Sequence, residues 1–356
     1  MDHEGRISRL QRDLTSGDVD PLLVTNLTNV RYLTGFSGTN GQVLVHADGA
    51  LFLTDPRYEA RAGALVQGAD VLVYPARLTD VLGDQLTARK VTRLGVEGSM
   101  TLTERDDLVE SVDAELVTVG GTVESLRRNK DAEEIELIRD AVRLGDETFA
   151  WVLDRLVPGV SERAIALDVE MHMRQHGADG VAFPPIVASG PLSAHIHHTP
   201  GDRTFDKGDL VLVDFGCTRD GYCSDLSRTV VLGPATDEQQ ELYALVLQAH
   251  NAGISAVAAG RTGVEVDKAG RDVISAAGHA ERFGHGLGHG VGLDVHEAPR
   301  LHRISEDTLE SGDVVTVEPG VYIPDDAGIR IEDCVLVTES GGEVLGFAPK
   351  DRLIEL

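Results

Sequence analysis

Cysteine is scarce in this chain. Cys217, Cys223 and Cys334 are the only three in 356 residues, and an odd, small number builds no disulfide framework. They read instead as small buried strand residues. Basic residues are also outnumbered, 32 against 59 acidic ones, giving a formal charge of -27 with no polybasic run to offset it. That balance argues against nucleic acid or an anionic membrane surface as a partner. No uncharged stretch is long enough to span a bilayer, and the charged opening Met1-Asp2-His3-Glu4-Gly5-Arg6 leads into no apolar secretory core. A cytoplasmic protein is expected.

What is present is length enough for two domains with separate cores. Up to about Val123, short apolar runs (Pro21 to Thr25, Gly41 to Val45, Leu51 to Thr54, Val71 to Tyr74, Arg93 to Val96) alternate with helical segments near Ser8 to Leu14, Tyr58 to Gln67 and Leu78 to Leu86. This order predicts a small α/β domain. Two turns, Asn29 to Gly38 and Thr54 to Tyr58, carry Tyr32, Phe36 and Arg57, which either pack loops or border a cleft; packing is the commoner use. Gly120-Gly121 and Arg127-Arg128-Asn129-Lys130 break the composition, so the boundary is placed between 1–125 and 126–356. Beyond it Asp131 and Glu134 form a capping box ahead of a long helix with a buried stripe at Ile135, Ile138, Val142, Phe149, Val152 and Leu153, stopped by Pro158-Gly159. Ser161, Thr236 and Thr262 open three further helices. Helices covering an antiparallel sheet make this half α+β.

The chemistry gathers at strand ends. Leu210 to Val213 reads as a buried strand that Asp214 closes, and a turn between Gly216 and Gly221 brings back Asp225. Two ionised aspartates held close repel and need a compensating charge, unless both simply face water from a hairpin. Just ahead lies Ala194-His195-Ile196-His197-His198-Thr199-Pro200, for which chance, a solvated loop and an acid/base group are all open readings. Five glycines across nine positions, Gly284 to Gly292, exclude an ordinary helix, since each costs about 1 kcal/mol against Ala there. Their backbone suits His285 and His289 projecting into a concavity. Val314 to Val317 ends in Glu318 and turns at Pro319-Gly320, while Glu332 is embedded in the β-run Gly328 to Val337, on one face with Arg330. Asp214, Asp225, Glu318, Glu332 and His289 amount to four carboxylates and one imidazole, enough to neutralise two divalent cations. Oxygen-rich ligation favours Mn, Co or Zn type ions over a thiolate-bound metal.

Val213-Asp214-Phe215-Gly216, Tyr222-Cys223-Ser224-Asp225-Leu226-Ser227-Arg228-Thr229, His285-Gly286-Leu287-Gly288-His289-Gly290, Val317-Glu318-Pro319-Gly320 and Ile329-Arg330-Ile331-Glu332-Asp333 are highly specific together. On them the chain resembles the proline-specific metallopeptidases of the pita-bread fold, the M24 group containing Xaa-Pro aminopeptidase and prolidase, over essentially its whole length. The resemblance implies a C-terminal pita-bread catalytic domain behind a smaller N-terminal α/β domain of the creatinase type. It also implies that Asp214 binds one metal, that Asp225 and Glu332 bridge both, and that His289 and Glu318 complete the other, with Mn the first expectation and Co or Zn the alternatives. His197 matches the histidine that steadies the scissile amide, His296 the one on the carbonyl oxygen, and Glu318 the proton acceptor. His285 and Arg330 are implied as substrate-binding, Arg330 alternatively as a support for the aspartate ligands, and Tyr322 is a weaker match. The interval of 17 residues to Asp214 selects His197, with His195 and His198 left as alternatives.

The implied activity is release of the residue preceding proline by an Xaa-Pro aminopeptidase; the alternatives are a prolidase restricted to dipeptides and, more remotely, a non-catalytic peptide-binding module. The extra N-terminal domain argues against methionine aminopeptidase, and the intact ligand set against creatinase or an inactive scaffold. Proline-containing peptides are the expected partners, without nucleic acid or membrane, and the expected assembly is a homodimer.

Overall fold

A computed structural model of the protein describes residues 1–16 and 19–356. Two compact units divide the chain, Met1–Arg127 and Arg128–Leu356. The first is built on a six-stranded sheet in the order Asp70–Val73, Gly49–Thr54, Gln42–His46, Leu22–Val24, Arg93–Glu97, Glu115–Val119. Leu22–Val24 runs antiparallel to Gln42–His46 and parallel to Arg93–Glu97, so the sheet is mixed. Leu23, Leu44, Leu53, Leu94 and Val96 from the strands meet Leu82, Leu86 and Leu108 from helices in one core.

The segment expected to be a turn at Asn29 to Gly38 is mostly helical. Asn26 accepts from the Thr28 and Asn29 amides to start Leu27–Thr34, and Gly35 at φ 78° ends it. Its two turns are too short to show a helical period in the sequence. Tyr32 and Phe36 do pack: the Arg6 guanidinium lies 4.2 Å from the Tyr32 ring centre, and Phe36 stands 4.7 Å from Phe52. Arg57 stays at the surface on Asp55.

The second unit repeats one plan twice. Helices Ala132–Leu153 and Glu162–Gln175 cover a four-stranded sheet ordered Ile354–Glu355, Leu226–Val231, Leu210–Phe215, Ile186–Ser189. Helices Asp237–Ala256 and Gly263–Ala276 cover a five-stranded sheet ordered Glu297–Leu301, Gly288–Gly290, Val314–Val317, Asp333–Thr338, Gly341–Val344, together with the hairpin Gly320–Ile323 and Ala327–Arg330. Capping boxes start Ala132–Leu153, Asp237–Ala256 and Gly263–Ala276, and Ser161 caps Glu162–Gln175. Almost every sheet pairing is antiparallel, which makes the unit α+β.

Three local expectations change. Asp214 lies inside Leu210–Phe215, opposite Ser227, rather than closing the strand. Pro319-Gly320 does not reverse the chain; it hands the backbone from the five-stranded sheet to the hairpin. Glu332 occupies the break between Ala327–Arg330 and Asp333–Thr338 instead of a continuous strand. Among the described residues no helix is long and apolar enough to cross a membrane.

Candidate metal centre

The seams between these sheets bring distant carboxylates together. Asp225 stands just ahead of Leu226–Val231, which pairs along its length with the strand of Asp214. Val317 pairs with Asp333, so Glu318 and Glu332 leave neighbouring strand ends side by side. His289 is the centre of Gly288–Gly290, whose flanking glycines allow a close fit: a Cβ on Gly288 would come within 2.0 Å of the Thr316 carbonyl oxygen, and one on Gly290 within 2.2 Å of that of Ala298. Asp214, Asp225, His289, Glu318 and Glu332 all line one cavity of about 540 Å³, with His197, His198, His285, His296 and Arg330 in the same wall. His195 is not among its lining residues.

Single ligand atoms of Asp225, His289 and Glu332 lie within 4.8 Å of one another. His289 Nε2 is 3.4 Å from Glu318 Oε1 and 3.7 Å from Asp225 Oδ2. Burial, with His296 beside it, pushes the His289 imidazole down to about 4. Its Nδ1 sits 3.1 Å from the Gly290 carbonyl oxygen, which makes Nδ1–H the donor and leaves the Nε2 lone pair facing the carboxylates. The ring is therefore a neutral ligand type, not the cation of an ion pair.

The acids carry the opposite strain. Burial raises Asp225 and Glu332 well above the carboxylate range; the neighbouring charges of Glu332 and Asp214 add for Asp225, and those of Glu318 and Asp214 for Glu332. Burial pushes Glu318 up to about 8, against the pull of Arg330. Asp214 receives the Arg330 guanidinium on Oδ2, yet its buried Oδ1 has no hydrogen-bond partner. An orphaned carboxylate oxygen beside three carboxyls that resist ionisation is what a cation would relieve, and the oxygen and imidazole donors suit a hard or borderline divalent ion. The three cysteines offer no competing thiolate, because burial raises each thiol, Cys223 to about 12.

Arg330 donates to Asp214, to Ser227 Oγ at 2.9 Å and to Tyr322 Oη at 2.7 Å, contacts that fit its alternative reading as a support for the aspartate. His285 lies 2.9 Å from Tyr322 Oη through Nε2, and burial, followed by Arg330, pushes it down to about 3. Other functional residues escaped the sequence reading. Ser227 donates to Glu332 Oε2 at 2.7 Å. Arg228, fully buried, donates to the carbonyl oxygen of Glu332 and, at 2.8 Å, to the Asp333 carboxylate. Arg300 and His302 line the cavity. An arginine within a strand, two positions from Leu226 on one side and Val230 on the other, was the available signal for Arg228; Arg300 had none.

Comparison with known proteins follows the two units. Residues 136–339 match the model of metallopeptidase family M24, and residues 6–128 that of the creatinase/prolidase N-terminal domain. The chain is 34% identical over 351 residues to an Xaa-Pro dipeptidase of Pyrococcus furiosus, covering 98% of this chain and 99% of that protein. A solved Xaa-Pro dipeptidase from Bacillus anthracis superposes with a TM-score of 0.97 at 38% identity, covering 99% and 100% of the two chains. An X-Pro aminopeptidase from Thermotoga maritima gives 0.91 at 32% identity, covering 98% and 100%.

Proposed function

Because this chain belongs to metallopeptidase family M24, we propose that it is an Xaa-Pro dipeptidase, hydrolysing the bond between a first residue and proline with proline-containing dipeptides as substrates. The observation that carries this reading is the convergence of Asp214, Asp225, His289, Glu318 and Glu332 on one cavity beside His197 and His296.

In this reading the five residues would hold two divalent cations, Mn first and Co or Zn as alternatives, which would supply the charge to polarise the scissile carbonyl and acidify the attacking water. Glu318 takes the proton released in the attack. His296 hydrogen-bonds the carbonyl oxygen as charge develops there, and His197 steadies the scissile amide. A bond into proline has no N–H, so a site that gripped its substrate through that donor would lose the contact. Apolar walls from Phe183, Pro184, Ile186 and Ile196 grip by shape instead.

The aminopeptidase expected from sequence gives way to its alternative on two grounds. Proteins named Xaa-Pro dipeptidase match almost the full chain. On the residues themselves, a dipeptide ends in a carboxylate within the cavity, and Arg300 in the cavity wall offers a cation, whereas Arg330 is committed to Asp214 and His285 is held neutral. Three unpaired cysteines suit a reducing compartment, so a cytoplasmic enzyme is part of the proposal, as is a homodimer that light scattering would check. The deciding assay offers Ala-Pro and Ala-Pro-Gly to the Mn-loaded enzyme. Turnover of the dipeptide alone is expected. Comparable turnover of both restores the aminopeptidase, and turnover of neither removes the proline-directed reading.

A further inference from the structure

His198 lines the cavity beside His197 but is turned away to a buried partner. Its Nε2 lies 2.7 Å from Glu162 Oε2, and Glu162 is fully buried at the first position of Glu162–Gln175, where the helix dipole favours a negative charge. The carboxylate also accepts from the Ser189 amide at 3.0 Å, Ser189 Oγ at 2.7 Å and the Gly201 amide at 3.2 Å. One side chain thus pins the entry, the exit and one interior residue of the loop 189–201. Ser193 Oγ donates to the Gly190 carbonyl oxygen and accepts from the Gly328 amide, joining the loop to the hairpin that carries Arg330. Among the described residues the His197 side chain has no hydrogen bond, so only its backbone fixes where its imidazole stands.

Resting on the activity proposed above, we infer that Glu162 and His198 are a positioning pair. They hold loop 189–201 so that His197 meets the scissile amide, and His198 itself does not touch substrate. The pair acts through His197, and a misplacement of the order of 1 Å at such a group costs about 100-fold in rate.

The test uses the Mn-loaded full-length enzyme with Ala-Pro. His198→Leu is expected to lower kcat about 10- to 100-fold with KM nearly unchanged, while Mn affinity and stoichiometry stay at the wild-type level. In a His197→Ala background the same substitution is expected to cost almost nothing, because the residue it positions is gone. Amide exchange at Ser189 and Gly201 is expected to quicken in His198→Leu without a global change. Glu162→Gln should reproduce the kcat loss; should it fail to fold, His198→Leu carries the test alone, since it removes one of the four contacts and leaves the carboxylate satisfied by the other three. An unchanged kcat, an equal cost in both backgrounds, or unchanged exchange overturns the inference. A wild-type enzyme inactive on Ala-Pro counts against the proposed function, and the exchange result then decides the pair by itself.

Discussion

Glu332 and Asp333 are neighbours in sequence, both buried, and project to opposite sides of one chain segment. Glu332 shares its cavity with Asp214, Asp225 and Glu318, and burial, with the charges of Glu318 and Asp214, lifts it well above the carboxylate range. Asp333 faces Arg228 at 2.8 Å, Lys350 at 2.9 Å and His250 at 3.0 Å. Burial works against its ionisation too, yet Arg228 above all, with His250 and Lys350, holds it below that range. Both acids meet the same low dielectric and differ in what the fold puts opposite them. One side of the segment is neutralised by the protein's own cations, and the other is left for a cation from outside. Arg228 spans the two sides, because it grips the Asp333 carboxylate and the Glu332 carbonyl oxygen together.

The contrast predicts opposite mutant behaviour. Glu332→Gln or Asp225→Asn is expected to reduce kcat/KM by about 1000-fold or more while the fold and thermal stability of the cation-free protein are kept or improved, since an acid that burial and its neighbours keep from ionising is removed. Near-normal turnover in either variant would remove that residue from the ligand set. Asp333→Asn is expected to do the reverse, destabilising the fold by about 3–5 kcal/mol in denaturant melts because Arg228 is left buried without its counter-charge. If Asp333→Asn melts like the wild type, the two sides do not differ as described.

Protons give a third way to probe the difference. Glu318 has a folded value of about 8 against an ordinary 4.5, so the folded, cation-free protein keeps a proton that the unfolded chain has released. The stability linked to that proton is full below the ordinary value and is lost as pH rises through the folded one. Asp225 and Glu332 shift in the same direction. Asp333 runs the other way: its contribution is present above the ordinary 3.8 and is lost as pH falls through its depressed folded value. The Tm of chelator-treated protein is therefore expected to fall as pH rises from about 4.5 to about 8, and saturating Mn is expected to flatten the fall. A flat profile without metal would mean that the carboxylates are not crowded in solution.

This asymmetry also marks how far the sequence could be read. Asp214, Asp225, Glu318 and Glu332 stood out as a set, because each carboxylate at a strand end or in a strand has a bland use alone and the four together do not, and His289 because so many glycines serve no helix. Caps at Asp131, Ser161, Thr236 and Thr262 gave the helix starts, as their local hydrogen bonds depend on neighbours three residues away. Long-range partners left no such mark. Nothing near Glu162 points to His198, 36 residues later, and nothing near Arg228 points to the Ala348 and Pro349 carbonyl oxygens that it also holds. The helix Leu27–Thr34 was missed for the converse reason, being too short to show its period.

The smallest effect separates redundancy from transmission. Lys350 is the outermost of the Asp333 partners, its side chain 18% exposed while those of Arg228 and His250 are almost wholly buried. Lys350→Met keeps the length of the stem and removes one of the two cations, so Asp333 stays ionised on Arg228. The expected loss is about 1 kcal/mol of stability, as for a partly exposed ion pair, with kcat and Mn affinity unchanged. Should Mn affinity fall by about 10-fold or more instead, the charge network behind the strand would be setting the position of Glu332 through Arg228, as residues behind metal ligands do when their loss costs that much. Isothermal titration of the variant with Mn, beside a urea melt of the metal-free protein, reads the two quantities separately.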